Sequence, residues 1–167
     1  MVIFDSSTLI LIAKIELLSP LLAGMESRVA IPTEVERECC GVKKTFDALM
    51  IQKALDESRI QVLSVKSHKF IGRLQADFSL GKGEAEALAL ALKEKAQWLG
   101  IDDKNAINAA KLLGIPFTTA VGILVRSREK GLLNHGEALA KLTALAKYGR
   151  YKHAIVEDAR QRMEASK

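Results

Sequence analysis

Four acidic residues that lie far apart in the sequence are candidates for a shared metal site: Asp5, Glu38, Glu84 and Asp102. Carboxylates held close together raise one another's pKa, so a cluster of them needs a compensating cation. Carboxylate oxygens are hard ligands, and no softer donor accompanies them, so the preferred ions are Mg²⁺ and Mn²⁺. The chemistry that suits such a site is hydrolysis of a phosphodiester bond.

Two other kinds of site are less well supported. The three histidines, His68, His135 and His153, stand apart with no zinc-ligand spacing around them. The segment Gly81-Lys82-Gly83 lacks the longer pattern of a nucleotide-binding phosphate loop. We therefore expect no zinc site, and we expect this glycine segment to be a plain loop.

The elements around the four acids place them at similar positions. Asp5 and Asp102 follow short apolar runs that are typical of buried strands, whereas Glu38 and Glu84 fall within the first turns of predicted helices. In a parallel sheet, the carboxyl ends of the strands and the amino ends of the following helices share one edge, where ligands bind. We therefore expect the four carboxylates to converge there.

Helical spacing distinguishes neighbouring acids on the predicted helix after residue 83. Glu84 shares a face with Ala87 and Leu88, so it heads the apolar stripe that should face the sheet. Glu86 instead aligns with Lys93, so we expect it to face solvent and to play a supporting role at most.

The other two candidates are less sharply defined. Glu38 follows Val35 by three positions and precedes Val42 by four, which places it at the rim of a buried face. Asp102 and Asp103 form a doublet, in which one acid could bind metal while the other caps a helix. Asp102 is preferred because it comes first after the strand.

Each acid also has an ordinary structural explanation. Asp5 and Asp102 suit helix N-caps, and Glu38 and Glu84 suit the amino ends of helices, where the macrodipole favours acids. Only the combination of the four points to a metal site.

Short apolar runs alternate with longer amphipathic segments along the chain. The predicted strands cover residues 2–4, 28–31, 60–65, 96–101 and 115–117. The predicted helices cover residues 9–23 with an interruption at Ser19-Pro20, a helix from Thr33, and residues 45–58, 84–95, 103–113, 121–130, 137–147 and 152–163. This alternation predicts an α/β fold with a mainly parallel sheet and helices on both faces.

Composition restricts the class of protein further. A chain of 167 residues with 49% hydrophobic residues fits one compact domain. The net charge of +5 mildly favours a polyanionic partner. Adjacent Cys39 and Cys40 rarely bond each other, which fits a reducing cytoplasm. We expect neither a signal peptide nor a membrane span, because Lys14 breaks the apolar stretch near the start.

Surface features suggest partners. Two basic runs, one around Lys66 to Arg73 and one around Lys147 to His153, could contact a nucleic-acid backbone or could be solvated faces. Leu139, Leu142 and Leu145 lie on or near one helix face, so we expect a homodimer that buries them.

Several segments resemble the PIN-domain family. Val2-Ile-Phe-Asp5-Ser-Ser resembles its opening strand, which ends at a catalytic Asp, and Ile31-Pro-Thr-Glu-Val-Glu-Arg-Glu38 resembles the segment that supplies its second acid. Gly83-Glu-Ala-Glu-Ala87, followed by Ile101-Asp-Asp103, is similar to a signature of a prokaryotic branch of the family. A matching tail extends the resemblance to Gly131.

This resemblance implies a three-layer α/β/α PIN-like fold, with a catalytic domain in residues 1–131 and a helical extension in residues 132–167 packed on it. It implies that Asp5, Glu38, Glu84 and Asp102 are catalytic and bind Mg²⁺ or Mn²⁺, with Asp103 as a further candidate ligand. The implied activity is cleavage of RNA. Many relatives are VapC-like toxins, which makes an antitoxin protein a candidate partner.

Two alternatives belong to other functional classes. One is a non-catalytic protein that binds RNA or a partner through the same fold. The other is a receiver-like signalling domain, which also gathers acids around Mg²⁺. A receiver normally has an acidic pair after its first strand, whereas Asp5 stands alone there.

Overall fold

The computed structural model describes residues 1–42 and 44–165. Five strands form one sheet: β1 (Val2–Phe4), β2 (Val29–Pro32), β3 (Ile60–Leu63), β4 (Trp98–Gly100) and β5 (Phe117–Thr118). The helices in the described part of the chain are α1 (Ser6–Lys14), α2 (Leu18–Ala23), α3 (Thr33–Cys40), α4 (Phe46–Asp56), α5 (His68–Phe78), α6 (Lys82–Lys93), α7 (Lys104–Leu112), α8 (Ala120–Glu129), α9 (His135–Tyr148) and α10 (His153–Ala165).

The strand order creates a crevice at the centre of the sheet. All pairings are parallel and the order is β3-β2-β1-β4-β5. From β1 the chain moves to β2 and β3 on one side, and it later returns to β4 and β5 on the other. The order therefore reverses between β1 and β4, and such switch points are where open α/β sheets bind ligands.

Alternating side chains of β1 divide the core into two layers. Val2 and Phe4 join a cluster with α1, α8 and the C-terminal helices, whereas Ile3 joins a cluster with α5, α6 and α7. Phe4 also meets Trp98 edge to face, with ring centroids 5.4 Å apart. Helices therefore cover both faces of the sheet, and the predicted three-layer α/β/α architecture with a parallel sheet is confirmed.

Several local predictions differ from the structure. The predicted loop at Gly81-Lys82-Gly83 is wrong, because α6 begins at Lys82 and the Glu84 carboxylate accepts the N–H of Gly81 at 2.8 Å. The bounds of helix α5 were not predicted, although the basic run around Lys66 to Arg73 was interpreted as a solvated helix face. Val42 is 99% exposed, since α3 ends at Cys40, so it cannot define a buried face with Glu38.

The C-terminal helices pack against the body of the chain. Ala138, Leu142 and Leu145 of α9 are fully buried in the same core as Phe4. Leu142 and Leu145 were expected to face a second copy, but their burial within the chain removes them as the basis of a dimer interface. Across the described residues, every helix is too short or too polar to cross a lipid bilayer.

Candidate metal centre

Asp5 lies at the end of the central strand and is completely buried. It caps α1, where its Oδ1 accepts the N–H of Thr8 at 2.9 Å and its Oδ2 accepts the hydroxyl of Ser7 at 2.7 Å. Burial raises the pKa of the Asp5 carboxyl to about 7, although both hydrogen bonds act in the opposite direction. An ionised Asp5 would therefore be stabilised by a nearby cation.

Asp102 follows β4, the strand next to β1. Its Oδ2 accepts the hydroxyl of Thr8 at 2.7 Å and the N–H of Ala120 at 3.0 Å, and its Oδ1 accepts the hydroxyl of Tyr151 at 2.5 Å. Thr8 thus donates through its backbone to Asp5 and through its side chain to Asp102. This threonine holds the two acids together across the switch point.

A second acidic group comes from α3, α6 and the turn before α7. Burial raises the pKa of the Glu84 carboxyl, and the neighbouring charges of Asp103 and Glu38 raise it further. Asp103 is also the N-cap of α7, because its Oδ1 accepts the N–H groups of Asn105 and Ala106. In the Asp102–Asp103 doublet, the second acid caps the helix and the first is left to the site.

Gly83 is what lets Glu38 approach α6. Glu38 lies in the second half of α3, not in its first turn as predicted, and so reaches the site by its side chain. A Cβ atom added at Gly83 would lie 2.5 and 2.7 Å from the two carboxylate oxygens of Glu38. The glycine therefore provides the space that the carboxylate occupies.

The structure thus arranges the five predicted ligands in two groups, Asp5 with Asp102 and Glu38 with Glu84 and Asp103. Within residues 1–42 and 44–165, no three His, Cys, Asp or Glu side chains form a group that could hold a metal ion. Mg²⁺ commonly binds through one or two carboxylates and retains several waters. The Asp5 and Asp102 pair fits that mode of binding, and all of its donors are hard oxygens.

The neighbouring acids provide a contrast. Glu34 is only 5% exposed, and it pairs with Arg37 and with Lys82, whose Nζ lies 3.0 Å from its Oε2. Across the described part of the chain, neither Asp5 nor Asp102 forms an ion pair with a cationic side chain. The two acids at the switch point therefore lack the internal counter-charge that Glu34 has.

The prediction that Glu86 faces solvent is wrong. Glu86 is 8% exposed, and its Oε2 accepts the N–H of Glu34 at the amino end of α3 at 3.1 Å. The reason is that α6 is buried on nearly all sides, between the sheet and other helices, so helical spacing no longer separates a wet face from a dry one. Glu86 caps α3, which makes it a supporting residue.

Two contributors to the site were missed by the sequence analysis. Thr8 was considered, with Ser6 and Ser7, as a residue that could orient Asp5 or cap a helix, but its hydrogen bond to Asp102, which bridges the two acids, was not predicted. Tyr151 was placed in a basic run on a solvated face, yet it reaches Asp102 from 49 positions away. The only local signal was the clustering of Ser6, Ser7 and Thr8 after Asp5, which favoured an oriented carboxylate.

Replacing Gly83 with alanine should displace Glu38 without destabilising the protein. The added methyl group needs the space of the flexible carboxylate, while removing a glycine from a helix gains roughly 0.5–1 kcal/mol. If Glu38 contributes to the site, metal-dependent activity should fall by about tenfold, as for other disturbed metal sites. The midpoint of thermal unfolding should stay the same or rise.

The matched control for this variant is Gly72→Ala in α5, where an added Cβ meets nothing within 4 Å. It should leave activity unchanged. Equal activity of the Gly83→Ala variant and the wild type would exclude a role for the Glu38 position.

Comparison with known families agrees with this architecture. A sequence model of the PIN domain matches residues 1–165 of the chain. No curated protein matches the chain. The family match spans almost all of the sequence, and the parallel sheet with helices on both faces is the fold that it implies. The chain therefore belongs to the PIN-domain family, whose members are generally nucleases.

Proposed function

We propose that this protein is a ribonuclease that depends on Mg²⁺ or Mn²⁺. The observation that carries the proposal is the pair of acids at the switch point, the completely buried Asp5 and the partly exposed Asp102, with no cationic side chain of the described residues to neutralise it. Burying such carboxylates without a counter-ion is costly. A divalent cation would offset that cost.

Asp5 and Asp102 would hold the ion, and the second acidic group, Glu38, Glu84 and Asp103, would assist directly or through water. Bound there, Mg²⁺ or Mn²⁺ would supply positive charge and lower the pKa of a water molecule for attack on phosphorus. The receiver-like alternative is set aside, because the chain belongs to the PIN-domain family.

The surrounding donors fix the orientation of the two acids. Ser7 and the backbone of Thr8 hold the two oxygens of Asp5, while the Thr8 hydroxyl and the N–H of Ala120 hold Oδ2 of Asp102. Hydrogen bonds of this kind orient metal ligands and favour their ionised form. The chain therefore supplies an oriented pair of carboxylates before any ion binds.

RNA is the proposed substrate because the fold is of the nuclease type and the chain carries a net charge of +5. A VapC-like toxin that an antitoxin holds inactive is one form that this activity would take.

The direct test is incubation of the purified protein with end-labelled single-stranded RNA. We expect cleavage products with Mn²⁺ or Mg²⁺ and none with a chelator. An absence of products with either ion, over a range of RNA sequences, would contradict the proposal.

A second candidate function is RNA binding without cleavage. It is favoured by the absence of a complete metal-binding group among the described residues and by the Tyr151 hydroxyl that occupies Oδ1 of Asp102. The same assay separates the two functions. Retention of RNA with no metal-dependent product would favour the binding protein.

A further inference from the structure

The connection between α9 and α10 is tied to the candidate metal centre by Tyr151. The tyrosine hydroxyl donates to Oδ1 of Asp102 at 2.5 Å, and its ring packs against the same core as Phe4. Gly149 makes room for this ring, because a Cβ atom at that position would collide with it. This short segment is therefore held beside the acids by a specific contact.

Cationic residues surround this anchor on both sides. Lys147 lies in the last turn of α9, Arg150 immediately precedes Tyr151, and Lys152 follows it. All three side chains are exposed, and within the described residues none of them forms an ion pair or a side-chain hydrogen bond. We call residues 147–153, which end at the exposed His153, the C-terminal basic segment.

The cations of the C-terminal basic segment differ in their pairing from the cations near Glu34. Lys82 and Arg37 are already paired with the buried carboxylate of Glu34. A cation that is engaged in this way has less of its charge available for a phosphate group. Lys147, Arg150 and Lys152 have no such competitor in the described structure.

Exposed cations beside the acids would counter the negative charge of the site when RNA approaches. A polyanionic backbone that approaches several carboxylates is repelled, and one bound ion offsets only part of that charge. Exposed Lys and Arg side chains near the acids would attract the backbone and release its counter-ions. Tyr151 fixes them within reach of Asp102, since it neighbours two of them in the chain.

We propose that the C-terminal basic segment binds the phosphate backbone of single-stranded RNA and guides it to the acids at the switch point. This inference rests on the proposed function for the identity of the partner. It assigns to the helices after residue 131 a part in substrate binding, through a segment that Tyr151 anchors.

The test measures RNA binding in the presence of a chelator, so that cleavage plays no part. The probe is a fluorescein-labelled single-stranded RNA of mixed sequence, and the readout is anisotropy between about 50 and 200 mM salt. The variant is Arg150→Ala with Lys152→Ala in the full chain. We expect its affinity to fall by about tenfold and the slope of log affinity against log salt to fall by about 1.4, since each lost phosphate contact of a single strand contributes about 0.7.

The matched control removes two arginines at the opposite edge of the sheet. Arg28 and Arg59 are exposed and immediately precede β2 and β3, so they lie at the amino edge. The Arg28→Ala, Arg59→Ala variant has the same net charge as the test variant and should bind RNA like the wild type. Equal losses in both variants would show binding by overall charge and would overturn the proposal, as would an unchanged affinity in the test variant.

A separate variant tests the role of the Tyr151 hydroxyl as an anchor. Tyr151→Phe keeps the ring and removes only the hydroxyl that binds Asp102, so all cations remain. We expect RNA affinity to fall by several-fold, because the segment loses its fixed position. Wild-type affinity in the Tyr151→Phe variant would overturn the role of the anchor.

The results of these RNA-binding experiments can be told apart from a failure of the proposed nuclease activity. A protein that binds RNA through this segment but cleaves nothing would retain the inference and lose the proposed activity. A protein that cleaves RNA with Mn²⁺ and shows no dependence on Arg150 and Lys152 would retain the activity and lose the inference.

Discussion

Replacing Asp5 with asparagine is expected to reduce metal-dependent RNA cleavage on the order of a thousandfold while the protein stays folded. The amide can still accept the N–H of Thr8 and can pair with Ser7, so the cap of α1 is preserved. It cannot supply the negative charge that a divalent cation requires. Initial rates at saturating Mn²⁺, with circular dichroism as the check on folding, measure the effect.

Glu84→Gln should act in the same direction, because this acid faces the charges of Asp103 and Glu38. The matched control is Asp56→Asn, since Asp56 is exposed at the end of α4, next to the amino edge of β3. That variant should cleave RNA at the wild-type rate. Full activity in both the Asp5 and the Glu84 variants would refute the assignment of the site.

The second large effect concerns the stability of the metal-free protein. The pKa of Asp5 is about 7 in the folded chain against 3.8 for the unperturbed group, so the folded state binds the extra proton between these values. The contribution of Asp5 to the free energy of unfolding is therefore fully present below about pH 4, is lost as the pH rises towards 7, and levels off above it. A shift of about three pKa units corresponds to a loss of about 4 kcal/mol.

Asp5→Asn should abolish most of that loss, so the variant should be more stable than the wild type at pH 8 in the presence of a chelator. The Asp5→Asn variant should still lose some stability as the pH rises, because the pKa of Glu84 is also raised. Urea unfolding at pH 5 and pH 8 measures both proteins. An equal loss of stability between pH 5 and pH 8 in the two proteins would exclude Asp5 as the cause of the pH dependence.

The same measurement also reports on metal binding. Saturating Mn²⁺ should raise the stability of the wild type at pH 8, because an ion that binds only the folded state stabilises it, and should have little effect on Asp5→Asn. Equal stabilisation of both proteins would place the ion elsewhere.

The sequence was sufficient to predict where Asp5 and Asp102 lie in the fold, because the signals for their positions are local. A buried strand that ends in an acid, followed by Ser and Thr residues, predicts both the end of β1 and the oriented carboxylate of Asp5. The same logic placed Asp102 after β4. The rule that parallel strands end at a common edge then brought the two together.

Packing determined what the sequence could not show. The spacing of Glu84 and Glu86 implied one buried and one exposed acid, but α6 is enclosed on nearly all sides, so Glu86 is the more buried of the two. The end of α3 at Cys40 likewise left Val42 in solvent. In the first case tertiary contacts overrode a helical pattern, and in the second the helix ended, with Gly41 as its C-cap, before the pattern was complete.

The hydrogen bond between Tyr151 and Asp102 could not be predicted from the sequence, for a different reason. It joins the last connection of the chain to the end of β4, and no periodicity or motif encodes a pair so distant in sequence. Its neighbours Arg150 and Lys152 looked like an ordinary solvated face. Only the fold shows that this face adjoins the acids.

The most direct test of the account is a crystal of the wild-type protein soaked in Mn²⁺ and measured for anomalous scattering. We expect a peak that contacts the carboxylates of both Asp5 and Asp102, and we expect it to be lost in Asp5→Asn. A well-diffracting crystal with no peak there, or with a peak bound only to other residues, would contradict the claim that these acids form a divalent-metal site.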